Sequence, residues 1–354
     1  MDRPLISYII LTYNQERFIR EAVESALSQS YSPLEIMISD DCSNDRTFDI
    51  AQQIVATYKG PHSVRTNRNH TNLGIGGNLN RAFESCRGEL VVAAAGDDLS
   101  LPTRTEVIYQ AWEHSGRQAT SIFSSYTATS EDGTVQATGG LRGERGDSRI
   151  FRLLEGDLHE FLSRKAPVVN GCTHAWSPVL FSFFGPLSSD LEDLVLSFRT
   201  LAIGKLLYIN QPLVKYRRHG SNVSFFAEQD DTRSFEHREK RLRWVDEKSA
   251  AAYQNILSDV ETLYLKGRIN QAQRDRLRAE GERVRGCYEL ERQMMDGNFF
   301  QRVRTLGATV RRGNMRSALP CLPRLLPGPV YRALFLLREK WRALARSRER
   351  RPGT

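Results

Sequence analysis

Polar and apolar residues follow two alternating periodicities over the first hundred positions. Segments with the length and pattern of strands cover residues 6–12, 34–39, 63–67 and 90–95. Between these segments apolar residues recur at helical spacing, and the clearest stripe consists of Phe18, Ile19, Ala22, Val23, Ala26 and Leu27. This order predicts an α/β fold with a mostly parallel, Rossmann-like sheet and helices on both of its faces.

Polar side chains gather where the predicted strands end. The clusters are Thr12-Tyr13-Asn14, Asp40-Asp41, Asn72 and Asp97-Asp98. Asn14 is expected to cap the helix after the first strand, and Asp45 or Thr47 to open the next helix. Because ligands of such sheets bind beyond the carboxyl ends of the strands, these clusters predict a binding site there.

The pattern is less regular between residues 100 and 220. A polar, glycine-rich stretch at 130–146 predicts a mobile loop. Residues 190–203 predict a helix with Glu192 and Asp193 in its first turn, and two short strands are expected at 206–209 and 213–216.

Long charged stretches with helical spacing follow from about residue 226. The sequence therefore predicts three parts, which are an α/β domain at 1–225, a helical extension at 226–318 and a basic amphipathic tail at 319–354. The net charge of +8 comes from the last part of the chain, because residues 301–354 hold 14 Arg or Lys and two Glu.

The tail has one apolar face, formed by Val330, Leu334, Leu337, Trp341 and Leu344. A basic amphipathic helix of this kind favours an anionic membrane surface, and the alternative is a helix packed on the domain. Nucleic acid is not expected as a partner, because the tail has neither an aromatic platform nor a recognised reading motif.

The cysteine pattern and the N-terminus bear on the compartment. The chain has five cysteines, widely spaced and without a C-x-x-C motif, which disfavours a disulfide framework or a zinc site and favours a reducing compartment. The first residues lack the features of a signal peptide, and 18 consecutive apolar residues occur nowhere. We expect a cytoplasmic protein, with a peripheral position on the inner face of the plasma membrane if the tail binds lipid.

Several carboxylates are candidates for chemistry. Asp97 and Asp98 repel each other unless a cation or hydrogen bonds offset their charge, and Mg²⁺ or Mn²⁺ takes such carboxylates together with phosphate oxygens. The alternative is a pair that caps the next helix. Asp193 is either a general base or a helix-capping residue, and His219 either supports a diphosphate or belongs to a surface turn.

Four stretches, taken in order, resemble the family 2 glycosyltransferases of the GT-A fold. They are Ile9-Ile10-Leu11-Thr12-Tyr13-Asn14, Ile38-Ser39-Asp40-Asp41-Cys42-Ser43-Asn44-Asp45, Asn72-Leu73-Gly74 through Asn80, and Gly88-Glu89-Leu90 through Gly96-Asp97-Asp98. Each is a loose match alone, but four in register are specific. Glu192-Asp193 and Tyr216-Arg217-Arg218-His219 extend the resemblance to about residue 222, the first two thirds of the chain.

The resemblance implies how the donor would be bound. Asp41 would pair with the nucleotide base beside Leu11 and Tyr13, and Asp97 would contact the ribose. The nucleotide-binding set also includes Asn14 and Asn72. Asp98 would hold Mn²⁺ or Mg²⁺ on the diphosphate, and Arg218 and His219 would support the diphosphate or the metal.

The resemblance also implies how the acceptor would react. Asp193 would remove the proton of the acceptor hydroxyl, and Gly171, His174 and Glu192 would meet the acceptor. A buried, hydrogen-bonded position is an equal alternative for His174. The activity implied is inverting transfer of one sugar from a nucleotide diphosphate sugar, by default a UDP-sugar. The acceptor would be a hydroxyl of a glycan or lipid-linked saccharide in cell-surface polysaccharide synthesis.

The chain departs from the family pattern at several points. Many relatives have Asp where Ala95 stands and Arg where Leu79 stands, which puts the metal affinity and one phosphate contact in doubt. The Gln-x-x-Arg-Trp signature of processive members is absent, so we expect one sugar per binding event.

Two other classes of protein stay open. The first is a catalytically weak, membrane-associated binding protein of the same fold, which the retained Asp98 and Asp193 disfavour. The second is a nucleotidyltransferase, which the absence of an early glycine-rich phosphate loop with Lys or Arg disfavours.

Overall fold

The computed structural model describes residues 3–140, 150–154, 156–163, 170–220, 222, 235–296 and 298–311. The strands are β1 (Ile6–Thr12), β2 (Leu34–Asp40), β3 (Ser63–Arg68), β4 (Leu90–Ala95), β5 (Leu99–Ser100), β6 (Ala119–Thr129), β7 (Val135–Gly139), β8 (Phe151–Leu154), β9 (Ala175–Trp176) and β10 (Lys205–Arg217). The helices are α1 (Ile19–Leu27), α2 (Thr47–Thr57), α3 (Gly74–Phe83), α4 (Arg104–His114), α5 (Leu158–Leu162), α6 (Val179–Phe184), α7 (Glu192–Ile203), α8 (Phe235–Leu265), α9 (Gln271–Asp296) and α10 (Phe299–Arg311).

All ten strands join one mixed sheet in the order β3-β2-β1-β4-β9-β6-β10-β5, with β7 paired to β6 and β8 paired to β10. The first four strands of this order are parallel, as are β6 and β10. The carboxyl ends of β2, β1 and β4 therefore lie side by side. The α/β fold class predicted from the sequence is confirmed.

The continuous apolar runs are explained by burial on both faces of the sheet. Every residue of β2 is buried, and β1 and β4 are buried along most of their length. The stripe on α1 buries Ile19, Ala22, Val23 and Ala26, and Ile19, Val23 and Ala26 join the same core.

Two local predictions are corrected by the sheet. Residues 206–209 and 213–216 are not separate strands but parts of β10, whose pairing with β6 is irregular around Pro212. Proline lacks the N–H that a regular β-ladder needs, so its presence in the sequence wrongly predicts that the strand ends there. Part of the predicted loop at 130–146 is the hairpin strand β7, closed by a turn in which Asp132 Oδ1 accepts from the Thr134 N–H (3.0 Å). Its side chains are mostly exposed, so no apolar alternation marks it.

The described residues fall into two compact units, one within 1–229 and 251–281 and the other within 230–250 and 282–354. In the second unit Leu290, Met294 and Leu306 form a small apolar core between α9 and α10. None of the helices in the described ranges is long and apolar enough to cross a bilayer. The predicted tail at 319–354 lies outside the described residues.

Candidate active site

The loop after β1 is tied to the loop after β2 through Asn14. Its N–H donates to Ser43 Oγ (2.9 Å) and its Oδ1 accepts from the Asn44 N–H (2.8 Å), with a left-handed backbone at φ 51°. Asn14 does not cap α1, whose N-cap position is Phe18, so that prediction is wrong. Its side chain instead accepts a hydrogen bond from the loop after β2. Leu11 is partly buried and Tyr13 is 42% exposed.

Asp41 directly follows β2, and its N–H donates to Thr12 O at the end of β1 (2.9 Å). The residue is 4% exposed, and its Oδ1 accepts from Asn69 Nδ2 (2.9 Å) and from the Leu73 N–H (2.8 Å). Beside Leu73, the exposed Asn72 accepts the Gly74 N–H at the start of α3 (3.0 Å). Asp41 and Asn72 therefore share one loop cluster at the end of β2.

Asp97 and Asp98 follow β4 and contact the C-terminal end of β10 and the residues after it. Asp98 Oδ1 accepts from the Arg217 N–H (2.9 Å), and Asp97 Oδ2 is 2.9 Å from His219 Nε2. Next to them, the Gly96 N–H donates to Leu11 O (2.9 Å). The ends of β1, β4 and β10 thus meet at the acidic pair, and His219 lies against Asp97.

Burial and the neighbouring charge of Asp97 raise the pKa of Asp98 well above its usual range, while the Arg217 N–H and the Arg104 charge act in the opposite direction. A cation at this strand end would offset the charge of the pair. The described residues contain no group of three or more His, Cys, Asp or Glu side chains placed to hold a metal. The donor set therefore fits a hard divalent ion that takes part of its ligands from phosphate, and not an ion enclosed by protein.

Glu192 and Asp193 begin α7, and burial raises the pKa of both carboxyls, with the Asp193 charge adding to the effect on Glu192. Asp193 Oδ1 accepts from the Leu194 N–H (2.8 Å). Glu192 packs on the short 3₁₀ turn Gly171–Thr173, so closely that a Cβ on Gly171 would lie 2.4 Å from Glu192 Oε1.

The same 3₁₀ turn reaches the acidic pair through Cys172. The Cys172 side chain lies within hydrogen-bonding reach of Asp98, and burial together with the Asp98 charge raises the pKa of its thiol well above its usual range. Asp98 and Glu192 therefore approach consecutive residues of one turn. This arrangement brings the start of α7 to the end of β4, although the two segments are far apart in sequence.

Comparison with known proteins bears on what this site does. Residues 7–163 match the family described as glycosyl transferase family 2. The chain carries a family 2 glycosyltransferase domain. The family resemblance predicted from the sequence is confirmed.

Relatives of the family 2 domain include EpsE of Bacillus subtilis, which is 39% identical over 103 residues, 29% of this chain and 36% of EpsE. An uncharacterized glycosyltransferase of Rickettsia typhi is 26% identical over 242 residues, 62% of this chain and 66% of that protein. The matched region thus spans less than two thirds of either relative. A crystal structure of S. aureus TarS 1–349 with UDP-GlcNAc superposes with a TM-score of 0.52 at 16% identity, covering 92% of this chain and 82% of TarS 1–349. This likeness supports the GT-A fold.

His174 and Arg218 lie beyond residues 7–163, and the structure gives each of them a partner within the protein. His174 is fully buried, with Nε2 3.0 Å from Ser121 Oγ, and burial lowers its pKa to about 3. His174 therefore occupies the buried, hydrogen-bonded position that was the alternative to acceptor binding, because a side chain enclosed next to β9 cannot contact a glycan. Arg218 donates to Gln136 on the β7 hairpin (3.4 Å), so the described contact of its guanidinium is with that hairpin.

Sequence reasoning missed two polar residues near the acidic pair and α7. Arg104, within the family 2 domain, is fully buried and donates to Ala93 O (2.7 Å) and Ser100 Oγ (2.9 Å). Asp190 Oδ1 accepts from the Gly76 N–H (3.2 Å) at the start of α3, next to the Asn72 loop. An arginine at the start of α4 and an aspartate in the loop before α7 carry no periodicity signal, so only tertiary structure identifies them.

Proposed function

We propose that the protein is an inverting glycosyltransferase that moves one sugar from a nucleotide diphosphate sugar to an acceptor hydroxyl. The observation that carries this proposal is the convergence of Asp98 and Glu192 on the consecutive residues Cys172 and Gly171. It supports one reaction centre with Asp98 on the donor side and Glu192, next to the proposed base Asp193, on the acceptor side. The family 2 domain and the GT-A fold agree with it.

On the donor side, Asp41 would pair with the base, with Leu11, Tyr13, Asn14 and Asn72 nearby, and Asp97 would contact the ribose. Asp98 would hold Mn²⁺ or Mg²⁺, and a bound divalent ion would neutralise charge on the departing diphosphate. His219 would position Asp97 through their hydrogen bond.

On the acceptor side, Asp193 would take the hydroxyl proton as the oxygen attacks the anomeric carbon and the bond to the diphosphate breaks. One displacement of this kind inverts the anomeric centre. A raised pKa suits a general base, because it makes the carboxylate a stronger proton acceptor while it is still ionised near neutral pH. Glu192 and Gly171 would line the acceptor side of the centre.

The acceptor class and cellular context are part of the same proposal. We infer a glycan or lipid-linked saccharide acceptor in cell-surface polysaccharide synthesis, with the protein in the cytoplasm. The tail at 319–354 would hold it on an anionic membrane, and deletion of that tail tests its part.

The test measures nucleotide release and sugar transfer over a panel of donors with Mn²⁺, beginning with UDP-GlcNAc, the ligand in the TarS complex. Asp98→Ala and Asp193→Asn are compared with Glu113→Gln, a surface carboxylate on α4. We expect Asp193→Asn to lose about 10²–10⁴ in kcat while it keeps donor binding. Asp98→Ala should lose the stabilisation that UDP and Mn²⁺ give together in a thermal shift. If wild type and both variants are equally inert with every donor and show no nucleotide shift, the transferase proposal fails.

A further inference from the structure

Helix α10 exposes apolar side chains that its own packing does not use. Phe299, Phe300 and Val303 are 56%, 80% and 45% exposed. The two phenyl rings meet edge to face, with their centroids 5.7 Å apart. The inner face is already satisfied, because Leu306 is 7% exposed and packs with Leu290 and Met294. Three of the ten large apolar residues that are exposed among the described residues thus lie within five positions.

Arginine is the main charged residue in the sequence that follows these side chains, and Asp296 precedes them. Arg302 and Arg304 lie in the same turns of α10. Arg304 is exposed, whereas Arg302 is partly buried and donates to Met295 O (3.4 Å). From residue 297 to residue 338 the sequence has eight arginines and neither aspartate nor glutamate. Phe299, Phe300, Arg302, Val303 and Arg304 together are called the α10 patch below.

The chemistry of the α10 patch selects one kind of partner. Aromatic rings that are exposed beside arginines are typical of helices that lie in the interface of anionic bilayers, where the rings enter the acyl boundary and the guanidinium groups meet phosphate. A second copy of the chain is disfavoured, because a two-fold contact through these residues would bring the exposed Arg304 of both copies together.

We propose that the α10 patch is a membrane-binding site that inserts Phe299 and Phe300 into the interface of an anionic lipid surface. It is distinct from the tail at 319–354 and does not depend on sugar transfer. Its binding rests on buried rings as well as on charge, so part of it persists when salt screens the arginines.

The experiment is flotation of the full chain with vesicles of phosphatidylcholine, alone or mixed with phosphatidylglycerol. Phe299→Ser/Phe300→Ser is compared with Val135→Ser/Leu265→Ser, which removes two apolar side chains that are 66% and 81% exposed elsewhere. We expect the wild type to float with the anionic vesicles. The phenylalanine variant should lose at least about tenfold in partitioning, and the control pair should bind as wild type does. Arg302→Gln/Arg304→Gln should weaken binding at low salt and change it little at high salt.

Deletion of 319–354 separates the α10 patch from the tail. The truncated chain should keep a measurable affinity that Phe299→Ser/Phe300→Ser then removes. The proposal is overturned if the phenylalanine variant partitions within about twofold of wild type, or if the control pair loses as much. It is also overturned if light scattering shows that the phenylalanines change the oligomeric state while lipid binding stays the same. Circular dichroism and thermal unfolding verify that each variant is folded.

Discussion

The ion pair between Arg199 on α7 and Asp259 on α8 offers a sharp test of how the start of α7 is held. Arg199 Nε and an NH2 group donate to the two Asp259 oxygens at 2.8 and 3.1 Å, and the side chains are 0% and 2% exposed. The same guanidinium donates to Gly185 O (2.7 Å) and Pro186 O (3.3 Å), in the segment that leads into α7. The perturbation is Asp259→Ala, which removes the carboxylate and leaves the guanidinium buried.

The magnitude follows from the burial of both partners. Because Arg199 keeps only neutral carbonyl acceptors, its charge is uncompensated, and breaking a buried pair in this way costs about 3–5 kcal/mol. For a folded unit of this size, that loss corresponds to a fall of about 6–20 °C in Tm. Replacing both partners by apolar residues, as in Arg199→Met/Asp259→Leu, removes the stranded charge and should return the stability to within about 1–2 kcal/mol of wild type.

The assay is urea unfolding of wild type, Arg199→Met, Asp259→Leu and the double variant, analysed as a double-mutant cycle, with Asp259→Ala measured beside them. A loss below about 1 kcal/mol in Asp259→Ala would show that the guanidinium finds water or another acceptor. A double variant no more stable than Asp259→Ala would show that packing, and not charge, holds α7 to α8. Either outcome would refute the reasoning.

Two further predictions concern the acceptor side. Burial raises the pKa of both Glu192 and Asp193, so kcat/KM should fall with decreasing pH at values above the ordinary aspartate pKa of about 3.9. Over the same window the folded state binds more protons than the unfolded state, so the free energy of unfolding should fall as the pH rises. Glu192→Gln should leave the acid limb in place, because burial and not a charge on Glu192 raises the pKa of Asp193. An acid limb near pH 4 in wild type would contradict this. Gly171→Ala should displace Glu192, because the new Cβ would lie 2.4 Å from its Oε1. We expect a lower transfer rate with an unchanged nucleotide thermal shift, and a loss of nucleotide binding would count against this assignment.

The buried half of the sheet was predictable because burial leaves a signal at every position. β1, β2 and β4 are buried along most of their length, so most of their residues are apolar. β7 gives no such signal, because its side chains are mostly exposed and its order comes from pairing with β6. The break at Pro212 divides the pattern of β10 although the strand continues.

The acidic residues of the candidate site were predictable from their place after strands, but their partners were not. The Arg217 N–H that binds Asp98 is 119 positions away, and the packing of Glu192 on Gly171 depends on the fold. Similarly, a histidine among small residues has no pattern that distinguishes an exposed ligand from a buried one. The enclosure of His174 is decided by β9 and Ser121.

The buried guanidinium of Arg104 adds a positive charge near the acidic pair. A fully buried guanidinium normally has a carboxylate partner, yet Arg104 donates to neutral oxygens of Ala93, Ser100 and Tyr8. These bonds fix its position below the end of β4, where its charge acts on Asp98 at longer range. Its charge favours the ionised form of Asp98, against the effects of burial and Asp97. We infer that Arg104 offsets part of the negative charge of Asp98, and in the proposed function a divalent cation would offset more of it.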